Sequence, residues 1–202
     1  MTVRRLSVYT RCLLQLEEDG VKTVSSQELA ERFDLNSAQV RKDLAYFGEF
    51  GVRGIGYYVS PLKAELQRIL GLDREWQVAL IGFGNLGSAL FHYKGFGRQG
   101  FRIAVIFDDD PAKWGKDVDG VPIMPLRDLA REARARNLQI AIVAVPAESA
   151  QTAISAVTGA GIKAVLNFAP GRLKTGKDVR LKHVDLAIEL ETLTFYLAQG
   201  NR

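Results

Sequence analysis

Cysteine and histidine are nearly missing from this chain of 202 residues, which has one of the first and two of the second. The lone Cys12 rules out an internal disulfide and any multi-cysteine zinc site, and it makes a cytoplasmic location the default expectation. His92 and His183 stand far apart without ligand-spaced partners, so no metal is expected. No apolar run approaches membrane-spanning length, and the start Met1-Thr2-Val3-Arg4-Arg5 lacks the apolar core of a signal peptide. A membrane partner is therefore not expected either. Internal repeats and low-complexity segments are absent. A one-sided charge is also lacking where it would be most telling: residues 1–75 hold eleven basic and eleven acidic side chains, although the whole chain carries +4 and has a pI near 9.2. Any DNA-binding surface in that half must be a local patch.

What the chain does have is a 47% apolar composition, that of a globular protein with room for two small domains or one large one. The run Val78-Ala79-Leu80-Ile81 has the length of a buried strand, and it feeds Gly82-Phe83-Gly84-Asn85-Leu86-Gly87, followed by helix-compatible Ser88-Ala89-Leu90. In such a turn the first glycine permits the bend, the second lets backbone approach a pyrophosphate, and the third lets helix and strand pack closely. The phosphates then meet unpaired N–H groups at the positive end of the helix. A second buried run, Ile103 to Phe107, ends in Asp108-Asp109-Asp110-Pro111. A carboxylate there can accept from both ribose hydroxyls and repels a 2′-phosphate, which favours NAD(H) over NADP(H). A bare glycine triplet also occurs in turns that bind nothing; strand, helix and acid together favour the dinucleotide.

The alternation continues beyond Asp110, with a charged helix opening at Pro125 to Leu129, a strand over Ile140 to Val145, a helix from Pro146 to Gly159 and a short strand over Ala164 to Leu166. This predicts a doubly wound α/β parallel sheet of Rossmann type over residues 76–182. Val145, Pro146 and Asn167-Phe168-Ala169-Pro170 are expected near the crevice where the nicotinamide would lie.

Residues 1–75 have the punctuation of a winged helix-turn-helix followed by a linker helix. A first amphipathic helix is predicted from Arg4 to Glu18 with Leu6, Tyr9, Leu13, Leu14 and Leu16 on its apolar face, stopped by Gly20. Ser25 or Ser26 caps a short second helix with Glu28 placed for a capping box. After the turn Asp34-Leu35-Asn36, a third helix over Ser37 to Phe47 puts Val40, Leu44 and Phe47 on one stripe. Ala38, Arg41, Lys42 and Ala45 share the opposite face, with Gln39 and Tyr46 flanking it. Two cations beside two small residues can enter a major groove. Gly51 to Val59 reads as a glycine-rich hairpin with Arg53 and Gly54 near its tip, a wing whose arginine suits a minor groove. An isolated basic helix is more often a solvated face, but the helix pair, the tight turn and the basic hairpin agree with one another. Ser60-Pro61-Leu62 to Leu72-Asp73 is expected to be a connecting helix with Pro61 at its first position and Leu62, Leu66 and Leu70 on one face.

Residues 183–202 form an apolar-rich final helix with Leu186, Leu190, Leu193 and Leu197 at helical spacing. The pattern alone leaves open whether that helix packs on its own sheet or is covered by a second subunit.

Taken in order, Gln39-Val40-Arg41-Lys42-Asp43-Leu44, Arg53-Gly54-Ile55-Gly56-Tyr57, Gly82-Phe83-Gly84-Asn85-Leu86-Gly87 and Leu166-Asn167-Phe168-Ala169-Pro170 resemble the hallmarks of the Rex family of redox-sensing transcriptional repressors, over almost the whole chain. The resemblance implies a homodimer with swapped C-terminal helices that binds a pseudo-palindromic double-stranded operator, released by NADH and permitted by NAD⁺. It also implies that Arg11 and Asp185 form a polar link between the DNA-binding domain and the swapped helix, and that Tyr93 lies near the nicotinamide. The Asp108-Asp109-Asp110 run is more acidic than the family's Asp-x-Asp, which leaves open which carboxylate holds the ribose. A small NAD-dependent dehydrogenase is the alternative. It would need a substrate domain and an acid/base pair, for which the remaining length offers little.

Overall fold

The structure is a computed structural model that describes residues 2–200. The chain divides into two compact units between Arg74 and Glu75. Among the described residues no helix is long and apolar enough to cross a membrane.

The first unit is built on α1 (Thr2–Glu18), whose Leu6, Tyr9, Leu13 and Leu16 recur at three, four and three residues and are all buried. Each of the three leucines contributes roughly 1.5–3 kcal/mol on leaving water. After β1 (Thr23–Val24) the chain forms α2 (Ser26–Phe33), with Ser25 as its N-cap. The capping box is complete, since Ser25 Oγ accepts from the Glu28 amide and the Glu28 carboxylate accepts from the Ser25 amide. Asp34, in the left-handed conformation at φ 51°, closes that helix. Asn36 then caps α3 (Ser37–Phe47) through the Gln39 amide, and Val40 and Leu44 anchor α3 in the core. β2 (Tyr57–Tyr58) pairs antiparallel with β1, with Thr23 opposite Tyr58. Val52 bridges Gly56 across a tip of Arg53, Gly54 and Ile55, which gives the predicted wing.

The expected connecting helix is corrected at both ends, since it stops at Ile69 and not at Leu72-Asp73. It is α4 (Val59–Ile69), two residues earlier than Pro61 suggested, so Pro61 is third in the helix. The reason lies in Val59, Leu62 and Leu66, which recur at helical spacing and are buried. They join the same core as the α1 stripe, so α4 is part of the first unit's packing as well as the exit from it.

The second unit begins with β3 (Trp76–Ile81), α5 (Asn85–Phe91), α6 (Lys94–Arg98) and β4 (Phe101–Phe107). A hairpin of β5 (Asp117–Val118) and β6 (Val121–Met124) follows, then α7 (Leu129–Ala135), β7 (Ile140–Val143), α8 (Ala147–Gly159), β8 (Ala164–Asn167), β9 (Arg180–His183) and α9 (Leu186–Gly200). The sheet order is β5-β6-β4-β3-β7-β8-β9, parallel throughout except for β5. Val78 and Leu80 pack into one core, and Ala79 and Ile81 pack into another on the opposite face. Burial on both faces is why β3 reads as an unbroken apolar run. The order reverses between β3 and β7, and a crevice opens there beyond the strands' carboxyl ends.

The expected boundary at residue 182 falls one residue inside a strand, since β9 runs through His183. The predicted terminal helix is present as α9, while Asn201 and Arg202 lie outside the described residues. From Asp185 to Gln199 every side chain is exposed. Leu190 and Leu197 retain 64% and 74% of their accessible surface, so this helix does not pack on its own sheet.

Candidate dinucleotide and DNA sites

The three glycines after β3 differ in what constrains them. Gly82 has φ +91°, and a Cβ there would stand 2.5 Å from the Ala144 carbonyl oxygen beyond β7. At Gly87 a Cβ would meet the Gly82 oxygen at 2.0 Å, so α5 can lie against the strand end only without a side chain. Gly84 is different: nothing of the protein lies within 4 Å of its Cβ position. Packing accounts for Gly82 and Gly87, and it leaves Gly84 beside open space. That space is a cavity of about 330 Å³ lined by Gly82, Gly84, Asp108, Asp109, Lys113, Val145 and Pro146.

The acids after β4 also separate by geometry. Asp108 Oδ2 accepts the Phe83 amide at 2.7 Å, and its Oδ1 accepts the Asp110 amide at 2.9 Å. Lys113 Nζ donates to Asp108 Oδ2 at 3.0 Å and to the Phe83 carbonyl at 3.2 Å. Burial works to raise the Asp108 pKa, but these amides and the ammonium outweigh it and hold the carboxyl below its ordinary range. Asp108 is thus consumed in pinning the glycine turn. Asp110 Oδ1 caps the following turn by accepting the Ala112 amide. Asp109 is exposed, lines the cavity and makes no such bond within the described structure.

The other expected cofactor contacts are dispersed. Leu86 lines a second cavity of about 730 Å³ with Phe168, Pro170, His183 and Asp185. Asn167 is fully buried: its Nδ2 donates to the Ala169 carbonyl at 2.7 Å and lies 3.1 Å from His183 Nδ1, so it shapes the Phe168 to Pro170 turn rather than facing a cavity. Asn85 is the first residue of α5 and is exposed. Tyr93, 59% exposed, precedes α6 and lines a third concavity with Phe96 and Phe101, not the cavity of the glycine turn. Lys113 was missed from sequence, because a lysine five residues past an acid reads as a solvated charge. Among the described residues no group of three or more metal-ligating side chains gathers.

In the first unit α3 presents Ala38, Arg41, Lys42, Ala45 and Tyr46 to solvent, with Ser37 and Gln39 half-buried. Arg53 and Gly54 are exposed at the wing tip. Two of these side chains already have partners: Arg41 Nη1 donates to Ser26 Oγ at 2.9 Å, and Gln39 Nε2 donates to Asp43 Oδ1 at 2.9 Å. The residue that sequence reasoning overlooked is Asp43. It is 3% exposed and sits on the inner side of α3. Arg5 grips it with Nε on Oδ2 and with Nη2 on Oδ1 at 2.7 Å, and the Tyr9 hydroxyl donates to Oδ2 at 2.9 Å. The Arg5 hydrogen bond holds the Asp43 pKa down to about 2, while burial and the Asp43 bond push Tyr9 up to about 12. Arg11 is exposed on α1, and Asp185 Oδ1 accepts the Ala187 amide at the start of α9.

A helix-turn-helix with a wing, in one chain with a doubly wound sheet whose glycine turn leaves an open cradle, defines a DNA-binding regulator with a dinucleotide-type domain. Known proteins agree. Residues 73–171 match the family model described as "CoA binding domain", and residues 1–45 match the one described as "Putative DNA-binding protein N-terminus". A redox-sensing transcriptional repressor Rex from Syntrophomonas wolfei is 50% identical over 201 residues, covering 100% of this chain and 96% of its own length. Its counterpart from Desulfitobacterium hafniense is 50% identical over 96% of this chain and 92% of its own length. Among solved structures, RSP in complex with β-NAD⁺ and operator DNA superposes with a TM-score of 0.94 at 37% identity, over 99% of this chain and 92% of RSP. RSP in complex with β-NADH gives 0.88 at 36% identity, over 99% and 94%. The chain belongs to the Rex family of redox-sensing transcriptional repressors.

Proposed function

We propose that the chain reads the NADH/NAD⁺ ratio: it binds a pseudo-palindromic operator as a homodimer and leaves it when NADH binds. The observation that carries this is the cradle at Gly84, open space beside two glycines whose own packing is fully accounted for, in a chain that also presents a helix-turn-helix. The names of the relatives, and the RSP structures with β-NAD⁺ and operator DNA and with β-NADH, support it.

The dinucleotide residues we assign are Gly82, Gly84 and Gly87 for the pyrophosphate turn, with Phe83, Asn85 and Leu86 presenting backbone and side chain around it. Asp109, the acid not engaged by the protein itself, receives the adenine ribose hydroxyls, and Asp108 and Asp110 hold the loop that aims it. Val145 and Pro146 close the far wall. NADH differs from NAD⁺ by a hydride that removes the ring's positive charge, so the reduced ring can enter an apolar pocket that rejects the cation. No hydride moves to a substrate.

On the DNA side Arg41 and Lys42 face the major groove and Arg53 the minor groove, with Ser37, Ala38, Gln39, Tyr46 and Gly54 shaping the fit. The exposed apolar sides of α9 are covered by a second copy that exchanges this helix. Arg11 and Asp185 link the DNA-binding unit to the partner's helix. Such a protein works in the cytoplasm, on the nucleoid. Operator binding titrated with each cofactor tests this: NADH should weaken it about 5–150-fold relative to NAD⁺, the usual range of site-to-site coupling. Equal affinity with both would end the sensor reading.

A further inference from the structure

The positive charge of this chain is carried by the half without the helix-turn-helix. Residues 76–202 hold sixteen basic and twelve acidic side chains, against eleven of each before them. Eight of those twelve acids are grouped, Asp108, Asp109 and Asp110 after β4, Asp117 and Asp119 in the β5–β6 hairpin, and Asp185, Glu189 and Glu191 at or on α9, while Asp128, Glu132, Glu148 and Asp178 stand apart.

At the opposite, N-terminal edge of the sheet, one stretch of wall carries cations and no acid. A concavity of about 720 Å³ opens there, lined by Arg134 from α7, Lys163 from the turn before β8 and Arg180 from the start of β9, with the amides of Asn137 and Gln139. No aspartate or glutamate lines it. The strand starts are level, since Ile140 of β7 pairs with Ala164 of β8 and Ala164 with Arg180 of β9. Backbone bonds lock that level, from the Arg180 amide to the Lys163 carbonyl at 2.7 Å and from the Ala164 amide to the Gln139 carbonyl at 3.2 Å. All three cationic side chains are exposed, and none has a carboxylate within ion-pair distance among the described residues. Other cations of this unit do: Arg131 and Arg136 share Glu132, and Lys113 holds Asp108.

One lone surface lysine means nothing. Arg134 Nε donates to the Ala130 carbonyl at 3.1 Å, which leaves its other donors free, and three cations from three elements lining one concave wall without an acid raise the local positive potential that an anion would meet. Two guanidiniums supply forked donors matched to phosphate oxygens, and the ammonium adds a point charge. We propose that this edge of the sheet is a phosphate-binding site, separate from the glycine-turn cavity. Its phosphate comes either from the backbone of bound DNA or from the phosphate chain of a free metabolite. The first source rests on the repressor reading; the second does not.

The test uses the full chain saturated with NAD⁺, so that the dinucleotide site is filled, and compares it with the triple variant R134Q/K163Q/R180Q. In one arm, calorimetry with sodium tripolyphosphate should show binding to the parent that the variant weakens at least tenfold, if the source is a free phosphate chain. In the other, log operator affinity is followed against log salt. If the source is DNA, the slope should become shallower by up to about 0.9 for each DNA phosphate that the variant no longer neutralises, equally on operator and unrelated duplex. Unchanged NADH affinity in the variant shows that its fold is intact. A variant indistinguishable from the parent in both arms overturns the site. A parent that ignores operator DNA altogether overturns the repressor reading instead, and leaves the tripolyphosphate arm to decide the site by itself.

Discussion

The two halves build their proposed recognition surfaces by opposite means. In the first unit the exposed face of α3 is held from behind by side chains, with Arg5, Tyr9 and Gln39 all converging on the buried Asp43 carboxylate. In the second unit the surface proposed for the dinucleotide is made by side chains that are missing, at Gly82, Gly84 and Gly87. A network of side chains fails when a group is removed, and a cradle of backbone fails when one is added. The two halves should therefore respond to opposite kinds of substitution, and each should fail without disturbing the other's ligand.

The largest effect is expected at Gly87→Ala. The new methyl would stand 2.0 Å from the Gly82 carbonyl oxygen, which is backbone and cannot step aside. Denaturant unfolding should show a loss of about 3 kcal/mol or more, with NADH binding lost alongside. Gly84→Val sharpens the point, because its side chain points into open space. Its melting should match the parent while calorimetry shows NADH affinity down on the order of 100-fold, or about 2.7 kcal/mol. Operator binding without cofactor should be retained.

Asp43→Asn removes the charge on which the first half depends. Breaking a fully buried pair costs roughly 3–5 kcal/mol, but Arg5 is 36% exposed at its side chain, so about 2 kcal/mol of stability is expected, with weaker operator binding and unchanged NADH binding. The pH dependence fixes the cause. The Asp43 carboxyl titrates near 2 when folded against an ordinary 3.8, so its contribution is present above pH 4 and fades as pH falls toward 2. Acid titration of unfolding should show that increment in the parent and not in Asp43→Asn. The smallest effect is expected at Arg41→Ala. Reading a base by this arginine is worth about 1–3 kcal/mol, and the lower part of that range applies because Arg41 must first release Ser26 Oγ. Competition among operator variants should show relaxed base preference; a uniform loss across sequences would make Arg41 a phosphate contact.

Much of this was legible in the chain. The strand–glycine turn–helix context, the Ser25–Glu28 capping box and the stripe of Val40, Leu44 and Phe47 are local patterns, and local patterns survive without coordinates. What was illegible depended on long-range pairing or on identical residues in different places. Arg5 and Asp43 are 38 positions apart, and an aspartate next to Arg41 and Lys42 looks solvated until α1 is laid against α3. Three consecutive aspartates cannot be told apart by type; only the Phe83, Asp110 and Ala112 amides separate them. Strand β9 reads Arg-Leu-Lys-His, with one apolar residue, because it is an edge strand. The β5–β6 hairpin did have a signal, in Asp119-Gly120 with φ of 50° and 78°, a dipeptide suited to a tight hairpin turn. For α9, apolar residues on several sides leave both coverings open in the sequence, and its exposure within this chain rules out packing on its own sheet.

In the proposed sensor one equilibrium joins the two halves, and linkage makes it reciprocal. The most direct measurement is the NADH dissociation constant of the full chain, alone and with saturating operator duplex at one salt concentration. If NADH weakens operator binding by some factor, operator must weaken NADH binding by the same factor, expected at about 5–150. An NADH affinity that does not change when the operator is bound would contradict the account.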